Sequence, residues 1–183
     1  MNEPQNTNPW KKLSDKIVYE NPWIVLHHEE VLNPLGKPGI YGLLHFKHLA
    51  IGIIPLDEHN NTWIVGQYRY PLKQYSWEIP EGGGKIGIDP IESGKRELLE
   101  ECGIIANDWQ KLIEIHLSNS ATDEFAIIYV ARDLSFTKAE PEETEELKIR
   151  KIPFEELFQM VMSGQITDAM TVAAVLKLKI LLG

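Results

Sequence analysis

Residues 82–104 read GGGKIGIDPIESGKRELLEECGI, and this stretch decides the fold. Its second half is a helix with explicit boundaries. Asp89 supplies a cap, Pro90 suits the first helical position, and Glu92, three residues after Asp89, completes a capping-box-like start. Gly103 provides the left-handed stop. At about 100° per residue, Ile91, Leu98 and Cys102 fall on one side, with Leu99 at its margin, and that side is expected to face a core. Glu97, Glu100 and Glu101 fall together on the opposite side. Like charges at such spacings cost a helix roughly 0.2–0.5 kcal/mol per pair. A bare E-x-x-E-E usually marks a solvated acidic face. Three acids in one cluster make sense where a cation shares them, and all-oxygen ligation points to Mg²⁺ or Mn²⁺. Arg96, placed between Glu92 and Glu100 at helical spacing, braces the cluster from the side.

Upstream, the chain reads as strands. KIVYE from Lys16, a turn at Asn21-Pro22, WIVLHHEEVL, the turn residues 33–39 (NPLGKPG) and IYGLLHF make a short antiparallel sheet. Trp23 and Tyr41 are expected near the outer ends of its two longer strands. Such aromatics are most simply packed side chains; the sharper reading has them stacking on a flat base or closing a dimer contact. LAIGIIPL and TWIVGQYRY follow, joined by a polar loop. A short strand, YSWEIPE, then feeds the glycine triplet, where bare backbone suggests either close approach to a ligand or a flexible turn. No G-x-x-x-x-G-K-[ST] appears, so the chain has no P-loop.

Downstream, WQKLIEIHLSNS and EFAIIYVARDL read as strands flanking a polar turn at residues 118–124. An acidic loop over 136–146 precedes the strand LKIRKIPF, the helix FEELFQMVMS ended by Gly164, and a terminal amphipathic helix capped near Thr167 or Asp168. Strands before and between three helices, without regular β-α alternation, give an α+β class with a mixed sheet between helices, an α/β/α sandwich.

With 183 residues, 43% hydrophobic and 25% charged, the chain fits one soluble domain with a full core. The expected division is an N-terminal sheet subdomain over about 10–47 and a catalytic core over about 48–183. The polar N-terminus lacks a cleavable signal, and no apolar run spans a membrane, so cytoplasm is the expected compartment. The single cysteine, Cys102, forms no internal disulfide and reads as an inert core thiol. A net charge of −9 argues against nucleic-acid binding, which needs a basic stripe. An anionic ligand would have to be received by metal ions and a few placed cations.

The run from Gly82 to the closing Arg96-Glu97-Leu98-Leu99-Glu100-Glu101-Cys102-Gly103-Ile104 resembles the signature of the Nudix hydrolases. One departure stands out: the motif's first Glu, which braces the motif arginine in that family, falls on Ile88, and Glu92 or Asp89 could substitute. QYRY, WEIPEGG, Asp123-Glu124, the acidic loop and IPFEEL extend the likeness over roughly residues 16–176, to the ADP-ribose and nucleotide-sugar pyrophosphatase branch.

The resemblance implies the Nudix fold and metal-assisted hydrolysis of a nucleoside diphosphate linked to a sugar. It implies metal ligation by Glu97, Glu100 and Glu101, with the backbone carbonyl of Glu81 as a further ligand. It also implies Arg69 and Glu78 on the substrate, Glu143 or Glu145 assisting the attacking water, Trp23 and Tyr41 on the adenine, and a homodimer. Alternatives within the same fold are a dinucleoside-polyphosphate or other nucleoside-diphosphate hydrolase, and a sensor that binds nucleotide sugars without cutting them.

Overall fold

The computed structural model describes residues 7–139 and 147–183; Glu143 and Glu145 lie outside the described residues. The chain forms two compact units, Met1–Lys47 with Ser118–Glu124, and His48–Leu117 with Phe125–Gly183.

The first unit is an antiparallel meander of β1 (Lys11–Glu20), β2 (Ile24–Leu32) and β3 (Pro38–Phe46). Local side-chain chemistry makes both turns. Asn21 Oδ1 accepts from the backbone of Trp23 and Ile24, and Asn33 Oδ1 from Leu35 and Lys37; asparagine thereby ties its own backbone into a turn. The Ser118–Glu124 segment is clasped to β3. Leu44 donates to Ala121, and Asp123 accepts from the Phe46 backbone while lying 2.6 Å from His45 Nδ1.

The second unit holds β4 (His48–Pro55), β5 (Asn61–Arg69), β6 (Gln74–Glu78), β7 (Glu81–Lys85), α1 (Pro90–Cys102), β8 (Ile104–His116), β9 (Phe125–Phe136), β10 (Lys148–Pro153), α2 (Phe154–Met162) and α3 (Ala169–Leu182). Its main sheet runs β7-β4-β9-β8, with β4 and β9 parallel and the other pairs antiparallel. A second sheet, β10-β5-β6, is antiparallel. Strand β4 explains the layering. Its side chains alternate between faces, and both faces are covered, so it reads as an unbroken apolar run. Ile51 and Ile53 pack with Leu98 of α1, while Ile54 packs with Leu157 of α2 and Met170 and Ala174 of α3. Burying each such isoleucine or leucine contributes about 1.5–3 kcal/mol. Gly52 lets the α3 layer seat, since a Cβ there would lie 2.9 Å from Met170 Cε. The result is the expected α+β arrangement, a mixed sheet between α1 on one side and α2 and α3 on the other.

Of the two readings of the glycine triplet, the flexible turn falls away, because its backbone is a strand that pairs with β4 from His48↔Lys85 to Gly52↔Glu81. Two expectations are corrected. Strand β8 starts at Ile104, directly after Gly103, rather than at Trp109. Helix α3 lacks the clean polar face of an amphipathic helix: it buries Met170, Ala174, Val175 and Leu178, yet its outer side mixes Lys177 with Leu181 and with Ile180, 81% exposed. Among the described residues no helix is long and apolar enough to cross a membrane.

Candidate active site

Helix α1 has the boundaries its sequence dictates. Asp89 accepts from Ile91 N at 3.0 Å, Pro90 opens the helix, and Gly103 takes φ 64° with its N–H bonded to Leu99 O. Glu92 departs from the capping-box expectation, for its carboxylate takes the Lys95 ammonium at 2.7 Å. The apolar side packs as expected, with Leu98 fully buried and Leu99 at the exposed margin.

The acidic side is not solvated. Strand β7 lies against it, and its glycines allow the approach. A Cβ on Gly82 would collide with the carboxylate of Glu97, and one on Gly84 would sit 2.9 Å from Ile51 Cγ1 and 3.3 Å from Ser93 Oγ. Glu101 is consequently only 2% exposed, and its Oε2 accepts from Glu81 N at 3.0 Å. Arg96 answers the local charge. Its Nη2 donates to Glu97 Oε1 at 2.5 Å and to Gly83 O at 3.0 Å, and its Nη1 to Glu100 Oε2 at 2.7 Å. Burial opposes the guanidinium charge, but Glu97 and Glu100 outweigh it and hold the Arg96 pKa above its usual value. Arg96 is therefore braced by two of the cluster's own acids. Neither Glu92 nor Asp89 takes the place of the missing motif acid, and Ile88 itself is half exposed.

A second charged group adjoins this one through Glu81. Arg69, at the end of β5, donates from Nε to both oxygens of Glu78 at 3.0 Å and from Nη2 to Glu78 Oε2 as well. The same Nη2 reaches Glu81 Oε1 at 2.5 Å. Burial works against the Arg69 charge, yet the Glu78 hydrogen bond and the charges of Glu81 and Glu78 more than compensate. Ligand atoms of Glu78, Glu81 and Asp168 lie within 4.8 Å of one another. Three carboxylates share one guanidinium there. Burial first, then the charges of Asp168 and Glu78, push the Glu81 carboxyl well above the usual range. Its Oε2 is buried with no hydrogen-bond partner.

Several residues singled out in the sequence thus converge in the second unit: Arg69, Glu78, Glu81, Arg96, Glu97, Glu100 and Glu101. Glu78, expected on the substrate, is 2% exposed and spends both oxygens on Arg69. Trp23 and Tyr41 belong to the first unit. Trp23 lies in the turn before β2 and is 65% exposed. Tyr41 lies within β3 opposite Glu29 rather than at a strand end, with its hydroxyl donating to Ser120 O at 2.6 Å. Ile24, next to Trp23, pairs with Phe46, so the two aromatics are separated by most of the strand length. Burial, then the Glu101 charge, raises the Cys102 thiol pKa, which keeps it inert as expected.

Sequence reasoning missed two participants. Asp168 was visible only as the cap of α3, which it is, accepting from Thr171 N at 2.7 Å. Glu81 was read for its carbonyl, whereas its carboxylate joins the network; the E-x-x-E of WEIPEGG, with one acid already paired, carried that signal. The donor set around α1 and β7 is entirely oxygen, with one orphaned buried carboxylate oxygen at its edge. That chemistry fits a hard divalent cation.

Fold and site together define a Nudix hydrolase, and the chain belongs to that family: a NUDIX domain spans residues 46–171. Residues 10–44 match the nucleoside diphosphate sugar hydrolase N-terminal domain. The chain is 28% identical to an ADP-ribose pyrophosphatase of Mycobacterium tuberculosis over 172 residues, covering 91% of this chain and 82% of that protein. It is 33% identical to a methanol dehydrogenase activator of Bacillus methanolicus over 167 residues, 90% of each. A crystal structure of an ADP compounds hydrolase superposes with a TM-score of 0.86 at 20% identity, over 98% of this chain and 97% of the other.

Proposed function

We propose that this enzyme hydrolyses the diphosphate of ADP-ribose or a similar nucleoside diphosphate sugar, with Mg²⁺ or Mn²⁺, releasing a nucleoside monophosphate and a sugar phosphate. The observation that carries the reading is Glu101. A carboxylate 2% exposed, on the helix side that carries Glu97 and accepting from Glu81 N, is an expensive arrangement that a divalent cation repays. Glu97, Glu100 and Glu101 would hold the metal, with the backbone carbonyl of Glu81 as a further ligand. A metal held there would supply positive charge to offset the diphosphate and a Lewis acid for a phosphoryl oxygen.

The chain's own residues do the rest. Arg96 keeps Glu97 and Glu100 aimed in one direction. Arg69, held in a fork by Glu78, presents its remaining donors to a phosphate oxygen; Glu78 acts through Arg69, as a positioning residue. The proton of the attacking water goes to a carboxylate of the acidic run, Glu143 or Glu145, by the resemblance. Trp23 or Tyr41 would stack on the base, since the two lie too far apart along the sheet for one chain to bring both to it. A homodimer is supported by the apolar side chains that the first sheet exposes, among them Trp10, Leu13, Ile17 and Val18. Cytoplasm remains the proposed compartment.

Turnover with Mg²⁺ against ADP-ribose, other nucleotide sugars, dinucleoside polyphosphates and coenzyme A tests the reading. Monophosphate release from ADP-ribose or another nucleotide sugar, abolished by chelation, is expected. Preferential cleavage of dinucleoside polyphosphates would move the substrate class, and saturable binding without products would make the protein a sensor.

A further inference from the structure

The first unit carries a charge cluster that hydrolysis does not use. Asp15 pairs across from Glu29, and Ile17 from His27, so alternation sends Asp15, His27 and Glu29 out of one face of the sheet. Their ligand atoms all lie within 4.8 Å of one another. His27 Nδ1 is 2.6 Å from Asp15 Oδ1. The Lys12 ammonium sits 3.0 Å from Asp15 Oδ2 and 3.0 Å from Glu29 Oε1. Two carboxylates therefore already hold one cation, with the His27 imidazole bonded to the first of them. The exposures differ in a telling way: the His27 and Glu29 side chains are 17% and 14% exposed, whereas Lys12 is 54% exposed. His27 and Glu29 are set into the sheet, Asp15 at 33% exposure forms the outer edge, and the ammonium enters from solvent. Strand β3 adds His45, whose ring meets that of His27 edge-on at 4.9 Å and whose Nδ1 is fixed by Asp123 at 2.6 Å.

We propose that Asp15, His27 and Glu29 form a second divalent-metal site, one for a borderline ion such as Zn²⁺, and that Lys12 is the cation this ion displaces. The charge balance favours the exchange. Lys12 brings one positive charge to two carboxylates, and a divalent ion in the same place brings two. The donor set selects the ion. An imidazole nitrogen with two carboxylates suits zinc, whereas Mg²⁺ prefers oxygen alone. Ligand atoms on one tetrahedral zinc lie roughly 3.3–3.5 Å apart, so side-chain rotation suffices to close the cluster. Metal on His27 Nδ1 leaves the imidazole proton on Nε2, and the Lys12 ammonium returns to water. The site lies wholly within the first unit and stands independently of the hydrolase reading.

The test is Zn²⁺ titration of the untagged full chain against a chromophoric chelator, in excess Mg²⁺ so that the acids of α1 are occupied. One zinc per chain is expected in the wild type. His27→Gln and Asp15→Asn should each weaken it about tenfold or more, while Lys12→Ala, an exposed replacement that leaves the fold alone, should tighten it. Glu97→Gln should leave this zinc in place. A wild-type chain that takes up no zinc under these conditions overturns the proposal, as does zinc lost in Glu97→Gln but kept in His27→Gln. Should His27→Gln fail to fold, Asp15→Asn and Lys12→Ala decide: no weakening in the first or no tightening in the second is equally fatal.

Discussion

Gly82 lies so close to Glu97 that any side chain at position 82 would occupy the volume of the Glu97 carboxylate. The glycine is required by proximity, not by backbone conformation, since its φ is not among the positive ones. Gly82→Ala must push Glu97 off Arg96 or lift β7 from α1. Hydrolysis should fall at least a hundredfold, roughly 2.7 kcal/mol in the transition state. Gly83→Ala is the control: a Cβ there meets nothing nearer than His48 Cβ at 3.9 Å, and its rate should stay within about twofold of wild type. Steady-state rates of the two variants side by side check this.

Removing charge without volume isolates the proposed metal ligands. Glu97→Gln and Glu101→Gln should each lower turnover by two or more orders of magnitude, again roughly 2.7 kcal/mol, with the circular dichroism spectrum unchanged. Glutamine at 101 can still accept from Glu81 N through its carbonyl, so the contact between α1 and β7 survives. Equal loss of Mg²⁺ affinity by calorimetry is the companion readout; full activity in both variants would remove the acids of α1 from the mechanism.

The parts of this molecule that announce themselves in sequence are those fixed by local rules. Asp89, Pro90 and Gly103 mark the ends of α1 because capping is decided within a few residues. The match at Arg96, Glu97, Glu100 and Glu101 was visible because all four lie on one helix. What stayed hidden depends on distant segments. Nothing near residue 168 tells that the cap of α3 arrives beside Glu78 and Glu81, for only the packing of α3 on β4 brings it there. The burial of Glu101 likewise could not be read from helical periodicity, which places it away from Leu98; strand β7 covers that side. The β5–β6 register sets Arg69 opposite Gln74 and Glu78 opposite Val65, so the two share a face of the sheet but sit four positions apart, and only the reach of both side chains brings the charges together. Tyr41 was misplaced toward a strand end because β3 begins at Pro38, ahead of the apolar run that suggested it.

Arg69 is the single guanidinium facing Glu78, Glu81 and Asp168 among the described residues, and Arg69→Met should expose how much those carboxylates repel. At pH 8 in the presence of chelator, the variant should melt at least about 4 °C below wild type, the equivalent of 1–2 kcal/mol for a chain of this size. The sign of the pH dependence follows from linkage. Without the arginine, the folded-state pKa values of these acids rise above their unfolded values, so the folded state binds more protons. The deficit should therefore shrink as pH falls from 8 toward 5. Melting curves across that range check it; a deficit independent of pH would mean that Arg69 stabilises by packing alone.

Asp57 gives the opposite sign at a site remote from catalysis. It closes the turn between β4 and β5, accepting from His59 N at 2.9 Å and Asn61 N at 2.7 Å, and pairing with Lys151 at 2.8 Å. Burial opposes its ionisation, but Lys151 and Asn61 outweigh burial and hold its pKa far below the ordinary carboxylate value. Its stabilising contribution is therefore complete above the unfolded-state pKa, about 3.9, and is lost as pH falls through the lower folded-state value. Asp57→Ala should cost about 2 kcal/mol at pH 7, the range for hydrogen bonds to a charged group. Below about pH 4 the gap to wild type should close progressively. Denaturant titrations at pH 7, 4 and 3 measure it, and a gap that persists undiminished at pH 3 would show that the turn relies on the side chain's shape and not on its charge.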